Sequence, residues 1–149
     1  ASFEMLVYRS LGVFTLPFRV ENYRVIEDRT EQGASVSQAS VKLHVGDEIS
    51  HQVAEGDGPV NALDAALRKA LVPYYPYMKN VRLDDFKVRV LGSNVGSDAH
   101  VRVWTTFGDE RDSWHVAGVS TNIIEASWFA LVDGLSYKIY KESLKQGEN

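Results

Sequence analysis

The chain has 149 residues, enough for a domain with its own hydrophobic core, and 44% of them are apolar, which indicates folding rather than disorder. Its 20 acidic and 16 basic residues give a net charge of −4, which argues against nonspecific nucleic-acid binding, since that needs a basic surface. It has no cysteine, so disulfides and cysteine-containing metal sites are excluded, which fits a cytoplasmic protein.

The N-terminal stretch begins ASFEML without a methionine, which we interpret as a piece of a longer protein. No apolar run reaches membrane-spanning length. Phe3, Leu6, Val7 and Leu11 share one helical face before Gly12, which predicts a short helix that must pack against something.

The first half of the chain predicts three strands and a helix. An extended stretch over 18–30 is followed by two alternating stretches, 39–45 and 48–54, joined by a Gly-Asp hairpin turn. A helix ends at Pro73 and Pro76. Its apolar residues at helical spacing are Val60, Leu63, Leu67, Ala70 and Leu71.

The second half predicts the same order of elements. Strands are expected over 81–91, 99–107 and 113–120, with a solvated hairpin tip at 108–112. A helix over 121–144 completes the series. One stripe of this helix comprises Ile124, Trp128, Leu131, Leu135 and Ile139.

The two halves also match residue by residue, which predicts an internal duplication. The matched segments are 22–25 with 85–88, 39–43 with 99–103, 51–59 with 114–122, and 65–67 with 129–131. We therefore predict an α+β fold of two pseudo-symmetric β-β-β-α units. Neither unit would bury its sheet alone, so each should pack on the other or on a partner chain.

No catalytic set is present in the sequence. All four histidines lie in predicted strands, and His51 and His115 occupy similar positions in the two repeats, which favours a structural role. Asp84 and Asp85 are adjacent strand residues and would point to opposite faces. No nucleophile elbow, phosphate loop or dinucleotide fingerprint occurs, so we expect no catalytic residue and no metal site.

The turn in EGDGPVNALDAALRKAL, residues 55–71, is a candidate anion site because backbone N–H groups at a helix start attract carboxylates. It lacks the lysine and hydroxyl residues of a phosphate loop, and Asp57 or Gly58 would cap the helix. The corresponding turn at 118–122 also opens a helix. Two such helix starts could hold a small carboxylate.

Three long segments resemble a known family: EGDGPVNALDAALRKAL, LDDFKVRVL and VAGVSTNIIEASWFALVDGLSYKIYK. They look like the C-terminal regulatory domain of the 2-isopropylmalate synthase and citramalate synthase family, and the resemblance covers nearly the whole chain. It implies a linker helix from a catalytic barrel over 1–16 and a regulatory domain over 17–149. Unit one would span 17–78 and unit two 79–149. The run NIIEASWFALVDGLSYK favours the citramalate synthase branch.

The resemblance implies a division of labour in a longer enzyme. An upstream (β/α)₈ barrel, absent from this chain, would hold a divalent metal and condense acetyl-CoA with pyruvate to give (R)-citramalate. This domain would carry no cofactor and no catalytic residue, form a homodimer, and bind an end-product amino acid at the dimer interface. That effector is expected to be isoleucine in the citramalate branch and leucine in the isopropylmalate branch.

The resemblance also implies which residues contact the effector. They are Gly56, Gly58, Val60, Leu83, Phe86, Val90, Ser97, Ala99, Val101, Ser120, Thr121 and Asn122. A tyrosine is common in the family where this chain has Phe86. By strand parity Leu83 lies opposite Phe86 and Val90, so it must sit at a strand start or a bend. Backbone carbonyls, Asp85 and Asp98 are all candidate partners for the effector's ammonium.

Two other functions are compatible with the sequence. One is a dimerisation module without an effector. The other is an RNA-binding module, because the order α-β-β-β-α occurs in double-stranded-RNA-binding domains. Such domains place lysines at the start of their second helix, whereas TNIIEAS in this chain has none. RNA binding is therefore disfavoured.

Overall fold

The computed structural model describes residues 16–29, 31–33, 35–91 and 100–147 of the chain. These form two compact units, the N-terminal unit Pro17–Asn80 and the C-terminal unit from Val81 onward. The linker helix predicted for 1–16 lies outside the described residues, apart from Leu16. No helix in the described ranges is long and apolar enough to cross a membrane.

The N-terminal unit is a three-stranded antiparallel sheet followed by a helix. Its strands, in the spatial order β1-β2-β3, are β1 (Arg19–Arg29), β2 (Ser35–Val45) and β3 (Glu48–Gly56). Helix α1 (Pro59–Leu71) and a 3₁₀ helix (Pro76–Asn80) follow.

A tight turn closes the β2–β3 hairpin as the sequence predicts. Val45 pairs with Glu48, so Gly46 and Asp47 are the two turn residues. Gly46 has a φ of 60°, a left-handed conformation that glycine adopts at little cost.

The C-terminal unit repeats this arrangement. Its antiparallel sheet has the order β4-β5-β6, formed by β4 (Arg82–Leu91), β5 (His100–Gly108) and β6 (Ser113–Ser120). Helix α2 (Ile123–Gly147) follows. The predicted α+β fold of two β-β-β-α units is confirmed.

The core of the N-terminal unit lies between the sheet and α1. On β2 alternate residues Ala39, Val41 and Leu43 are fully buried, as expected for a strand with one covered face. Leu63 and Leu67 of α1 are also fully buried, and each such leucine contributes about 1.5–3 kcal/mol by leaving water. Helical and strand periodicities thus meet in one apolar layer.

Strand pairing fixes how the two units correspond. Val41 pairs with Tyr23 of β1, and Thr105 pairs with Phe86 of β4. The segments 22–25 and 85–88 are therefore equivalent, as the sequence predicts. The central strands, however, are related by 64 residues, from Val41 to Thr105.

Two of the predicted repeat alignments are therefore wrong. The pairing places 39–43 opposite 103–107 rather than 99–103, and 51–59 opposite 115–123 rather than 114–122. The first error is a shift of four residues, and an even shift preserves the alternation of a strand, so the pattern cannot detect it. The second follows a chance match of Val-Ala pairs and would turn every side chain to the other face.

Small residues allow α2 to lie close to its sheet. A Cβ added at Gly118 would be 2.2 Å from the carbonyl oxygen of Ala126 and 3.0 Å from the backbone nitrogen of Ala130. One added at Gly134 would be 2.1 Å from Cε2 of Phe107. The predicted stripe is largely buried, but the closest approach to the sheet is made by alanine and glycine.

The predicted solvated tip of the β5–β6 hairpin is anchored to α2. Lys138 Nζ donates to Asp109 Oδ2 at 2.6 Å, and both side chains are about nine-tenths buried. Lys141 pairs with Asp112 at 3.2 Å. Only the middle of the tip matches the prediction, since Glu110 and Arg111 are exposed.

Candidate functional site

A β-bulge brings three predicted site residues to one face of β4. Phe86 and Val90 lie on the helix side of the C-terminal sheet, and simple alternation would turn Leu83 to the other side. A register shift between Leu83 and Asp85 leaves Asp84 as an extra residue and reverses the parity. Leu83 therefore shares the helix side, and the bend that alternation required is this bulge.

The helix side of β4 is an apolar surface that α2 does not cover. The exposed fractions of Phe86, Val88 and Val90 are 38%, 40% and 66%. Helix α2 packs on β5 and β6. By contrast, α1 also contacts β1, and the equivalent residues Tyr23 and Val25 are half-buried. Exposed apolar side chains in a row on one strand are typical of a binding or association surface.

Three predicted site residues form a row across this face. Val90 of β4 pairs with Val101 of β5, and Val101 pairs with Ser120 of β6. Val101 also packs against the buried cluster between β5 and α2. Apolar side chains on two strands thus lie beside a hydroxyl on the third, close to where α2 begins.

The start of α2 is capped by its own side chains. Asn122 Oδ1 accepts hydrogen bonds from the backbone N–H groups of Ile124 at 2.8 Å and Glu125 at 3.1 Å. Ser120 Oγ accepts one from the N–H of Asn122 at 3.3 Å. Two of the predicted contact residues therefore serve as a helix cap and its support, and Thr121 is exposed between them.

The glycine turn before α1 is built differently. Gly58 is the N-cap residue, and no side chain caps this helix. Asp57 does not take the capping role that the sequence predicted, and Pro59 at the first helical position has no N–H to satisfy. The first free N–H groups of α1 are therefore left without a side-chain acceptor among the described residues.

The two glycines of this turn have different constraints. A Cβ added at Gly56 would be 2.6 Å from the backbone nitrogen of Ala62, so the strand and helix meet there too closely for a side chain. One added at Gly58 would meet nothing within 4 Å, and its φ of −159° is open to any residue. Val60, two residues on, is buried.

The N-terminal unit carries a polar version of the same row. Glu27 pairs with Ser37, and Ser37 pairs with Gly56, on the helix side of the sheet. Ser37 is only 2% exposed, and its hydroxyl donates to Glu27 Oε1 at 3.4 Å. This carboxylate was not identified from the sequence; the signal that could have revealed it is its equivalence to Val90 in the repeat.

The remaining predicted contacts are not brought together by the described residues. Ser97 and Ala99 lie outside them, as does Asp98. Asp85 pairs with Thr106 on the face of the sheet opposite Phe86, so it points away from the apolar surface of its own subunit.

The histidines of the described residues form no metal site. No group of three or more metal-binding side chains occurs in the described ranges. His44 Nε2 contacts Glu21 Oε1 at 2.8 Å, and His115 Nδ1 contacts Thr106 Oγ1 at 3.0 Å. His51 lies 64 residues before His115, so the two are equivalent in the repeat, as predicted.

A family model describes the chain: residues 1–139 match the LeuA allosteric (dimerisation) domain. The chain belongs to this family. The match includes both β-β-β-α units and the start of β1, so the uncovered strand face and the glycine turn are both features of this LeuA domain.

The LeuA domain is similar to parts of curated proteins of two kinds. It is 46% identical over 148 residues to an (R)-citramalate synthase of Geobacter sulfurreducens and 42% identical over 143 residues to one of Aquifex aeolicus. These matches cover 99% and 95% of the chain but only 28% and 27% of the relatives. A 2-isopropylmalate synthase of Sodalis glossinidius is 32% identical over 119 residues, or 80% of the chain and 20% of the relative.

One buried acid lies a helical turn beyond Val60 in the LeuA domain. Asp64 is 3% exposed, and burial raises the pKa of its carboxyl, although the Arg68 guanidinium at 2.8 Å opposes this effect. Its second oxygen, Oδ1, has no hydrogen-bond partner among the described residues. The charged form of this residue is therefore disfavoured by folding.

Proposed function

We propose that this LeuA domain is the regulatory part of an (R)-citramalate synthase, forms a homodimer, and binds isoleucine at the dimer interface for feedback inhibition of isoleucine biosynthesis. The observation that carries the proposal is the apolar helix side of β4, which α2 leaves uncovered. The name of the family and the higher identities to (R)-citramalate synthases support the same function.

A second copy of the domain is the occupant that best fits the uncovered face. Phe86, Val88 and Val90 would leave water in the dimer, which is the main favourable contribution to association. The description of the family as a dimerisation domain supports this occupant. The catalytic barrel, with its divalent metal and acetyl-CoA, and the cytoplasmic location remain parts of the proposal.

The chemistry of the row suits a branched aliphatic amino acid. Val90 and Val101 provide an apolar surface for the side chain, with Leu83 and Phe86 further along β4. We propose that the uncapped N–H groups of α1 accept the carboxylate. In the same unit, the Glu27 carboxylate is a partner for the ammonium group.

Inhibition requires that isoleucine bind one arrangement of the dimer better than another. A typical coupling between sites is about 1–3 kcal/mol, equivalent to roughly 5- to 150-fold in affinity. The predicted linker helix at 1–16 would carry this change to the barrel.

Calorimetry with isoleucine and leucine tests effector binding, and sedimentation tests the dimer. We expect heat with millimolar isoleucine and a dimer that Val90→Lys dissociates. The matched control is Val53→Lys, because Val53 is also an exposed valine on an edge strand but faces away from α1.

Each outcome points to a different function. Binding of leucine in preference to isoleucine would favour a 2-isopropylmalate synthase, which the Sodalis relative supports. A dimer that binds neither amino acid would favour a dimerisation module alone. A monomer in which Val90→Lys changes nothing would contradict the proposed interface.

A further inference from the structure

The face of the C-terminal sheet opposite α2 carries a cluster of basic side chains. Arg89 of β4 and Arg102 of β5 are directly paired across the strands, and Lys87 follows one position along on the same face. All three side chains are exposed. Like charges directly opposite each other destabilise a sheet, so an arginine pair at this position needs a counter-charge.

An aromatic residue lies beside the arginine pair. The guanidinium carbon of Arg102 is 5.6 Å from the ring centroid of Trp104, which is the partner of Lys87 on β5. On its other side Arg102 pairs with Val119, an exposed valine of β6. The guanidinium plane is thus supported on an apolar surface and still has exposed N–H groups.

The internal repeat shows that this cluster is not required to build the sheet. The positions equivalent to the arginine pair and the tryptophan in the N-terminal unit are occupied by Ile26, Gln38 and Ser40. These residues carry no charge and no aromatic ring on the same face of a sheet with the same topology. The basic cluster is therefore specific to the C-terminal unit.

The cluster is also unneutralised within the described part of the chain. None of the three cations is in salt-bridge distance of a carboxylate there, although the whole chain has a net charge of −4. Asp85, two residues before Lys87 on the same face, is the nearest acid along β4. An external anion would supply the missing counter-charge.

We propose that this face, the basic cluster of Lys87, Arg89, Arg102 and Trp104, binds a nucleoside diphosphate. The phosphate oxygens accept hydrogen bonds from Arg89 and from the edge of the Arg102 guanidinium, with Lys87 as a third cation. The base stacks on the guanidinium plane that Trp104 supports. The ligand thus matches both the fork geometry of two arginines and the flat surface beside them.

The test is calorimetric titration of the 149-residue chain with ADP and, separately, with pyrophosphate, combined with tryptophan fluorescence. Trp114 and Trp128 are buried, so quenching by the ligand would report on Trp104. We expect ADP to bind at submillimolar concentration, more tightly than pyrophosphate, and more weakly as salt is added. Arg89→Gln should weaken ADP binding about tenfold or more through loss of a bidentate contact.

Arg24→Gln is the matched control, because Arg24 is an exposed arginine on the equivalent face of the N-terminal sheet. It should leave the ADP affinity unchanged. Lys87→Gln provides a second variant if Arg89→Gln lowers the melting temperature. No heat with millimolar ADP, or equal losses in Arg24→Gln and Arg89→Gln, would overturn the proposal. Pyrophosphate binding as tight as ADP binding would reduce the site to a phosphate site and reject the nucleotide.

Discussion

Trp114 of β6 donates its indole N–H to the backbone carbonyl oxygen of Gly134 in α2 at 3.0 Å, inside the core of the C-terminal unit. The N-terminal unit makes the same tie with different chemistry, since Ser50 Oγ donates to the carbonyl of Ala70 at 2.9 Å. Both partners are related by 64 residues. The duplication thus preserves a strand-to-helix hydrogen bond even where the side chain that donates it has changed.

We expect Trp114→Phe to lower the free energy of unfolding by about 2 kcal/mol, because it removes a buried hydrogen bond and leaves a small cavity. Ser50→Ala removes only the bond and should lower it by about 1 kcal/mol. Urea denaturation of the two variants measures both values. Equal urea midpoints for Trp114→Phe and the parent would contradict a stabilising role for the indole bond.

Gly134→Ala should destabilise the domain, although the same change normally strengthens a helix by about 1 kcal/mol. The added methyl would be 2.1 Å from Cε2 of Phe107, and the expected loss is about 1–3 kcal/mol from overpacking. Thermal and urea melts measure the loss. Combining the change with Phe107→Leu should restore part of it, and additive losses in the double variant would show that the contact is not the cause.

Gly58→Trp separates effector binding from folding and from dimer formation. The position is open and its backbone is extended, so the side chain should be accepted with little loss of stability. If the glycine turn contacts the effector, calorimetric heat with isoleucine should disappear while sedimentation still shows a dimer. Unchanged isoleucine binding would exclude the turn from the site. Gly56→Trp is not a substitute, because a Cβ there meets the backbone of Ala62.

The ion pair between Asp109 and Lys138 should make stability depend on acid pH. Burial raises the pKa of Asp109, but hydrogen bonds from Lys138 and from the N–H groups of Asp112 and Arg111 outweigh this effect and lower the pKa to about 2. Since the ordinary value is 3.8, the pair stabilises the folded state fully above about pH 4. That contribution is lost as the pH falls towards 2.

Asp109→Asn tests this contribution. At neutral pH we expect the variant to be less stable by up to about 2 kcal/mol, and we expect the difference to shrink between pH 4 and pH 2. Urea melts across this range provide the measurement, with Asp112→Asn as a control at the exposed pair with Lys141. A constant difference at every pH would contradict the assignment.

Local pattern was enough to predict most elements of the fold. Alternation predicted the strands, Gly46 and Asp47 the hairpin turn, and Pro73 the end of α1. These features depend on neighbours along the chain. Alternation could not show the bulge at Asp84, because an extra residue is recognisable only from the strand paired with it.

The candidate site was predictable in part for the same reason. The family resemblance pointed to Phe86, Val90 and Val101, and pairing places them on one face. Glu27 and the exposure of β4 were not predictable, because they depend on how far each helix extends across its sheet.

The order of elements and the duplication were determined by the sequence alone, because both are properties of spacing along one chain. Only the tertiary structure decided the true alignment of the repeats, the side chain that ties each helix to its sheet, and the strand left bare. Those depend on pairing and packing between residues distant in sequence, where a one-residue slip moves a side chain from the core to the surface.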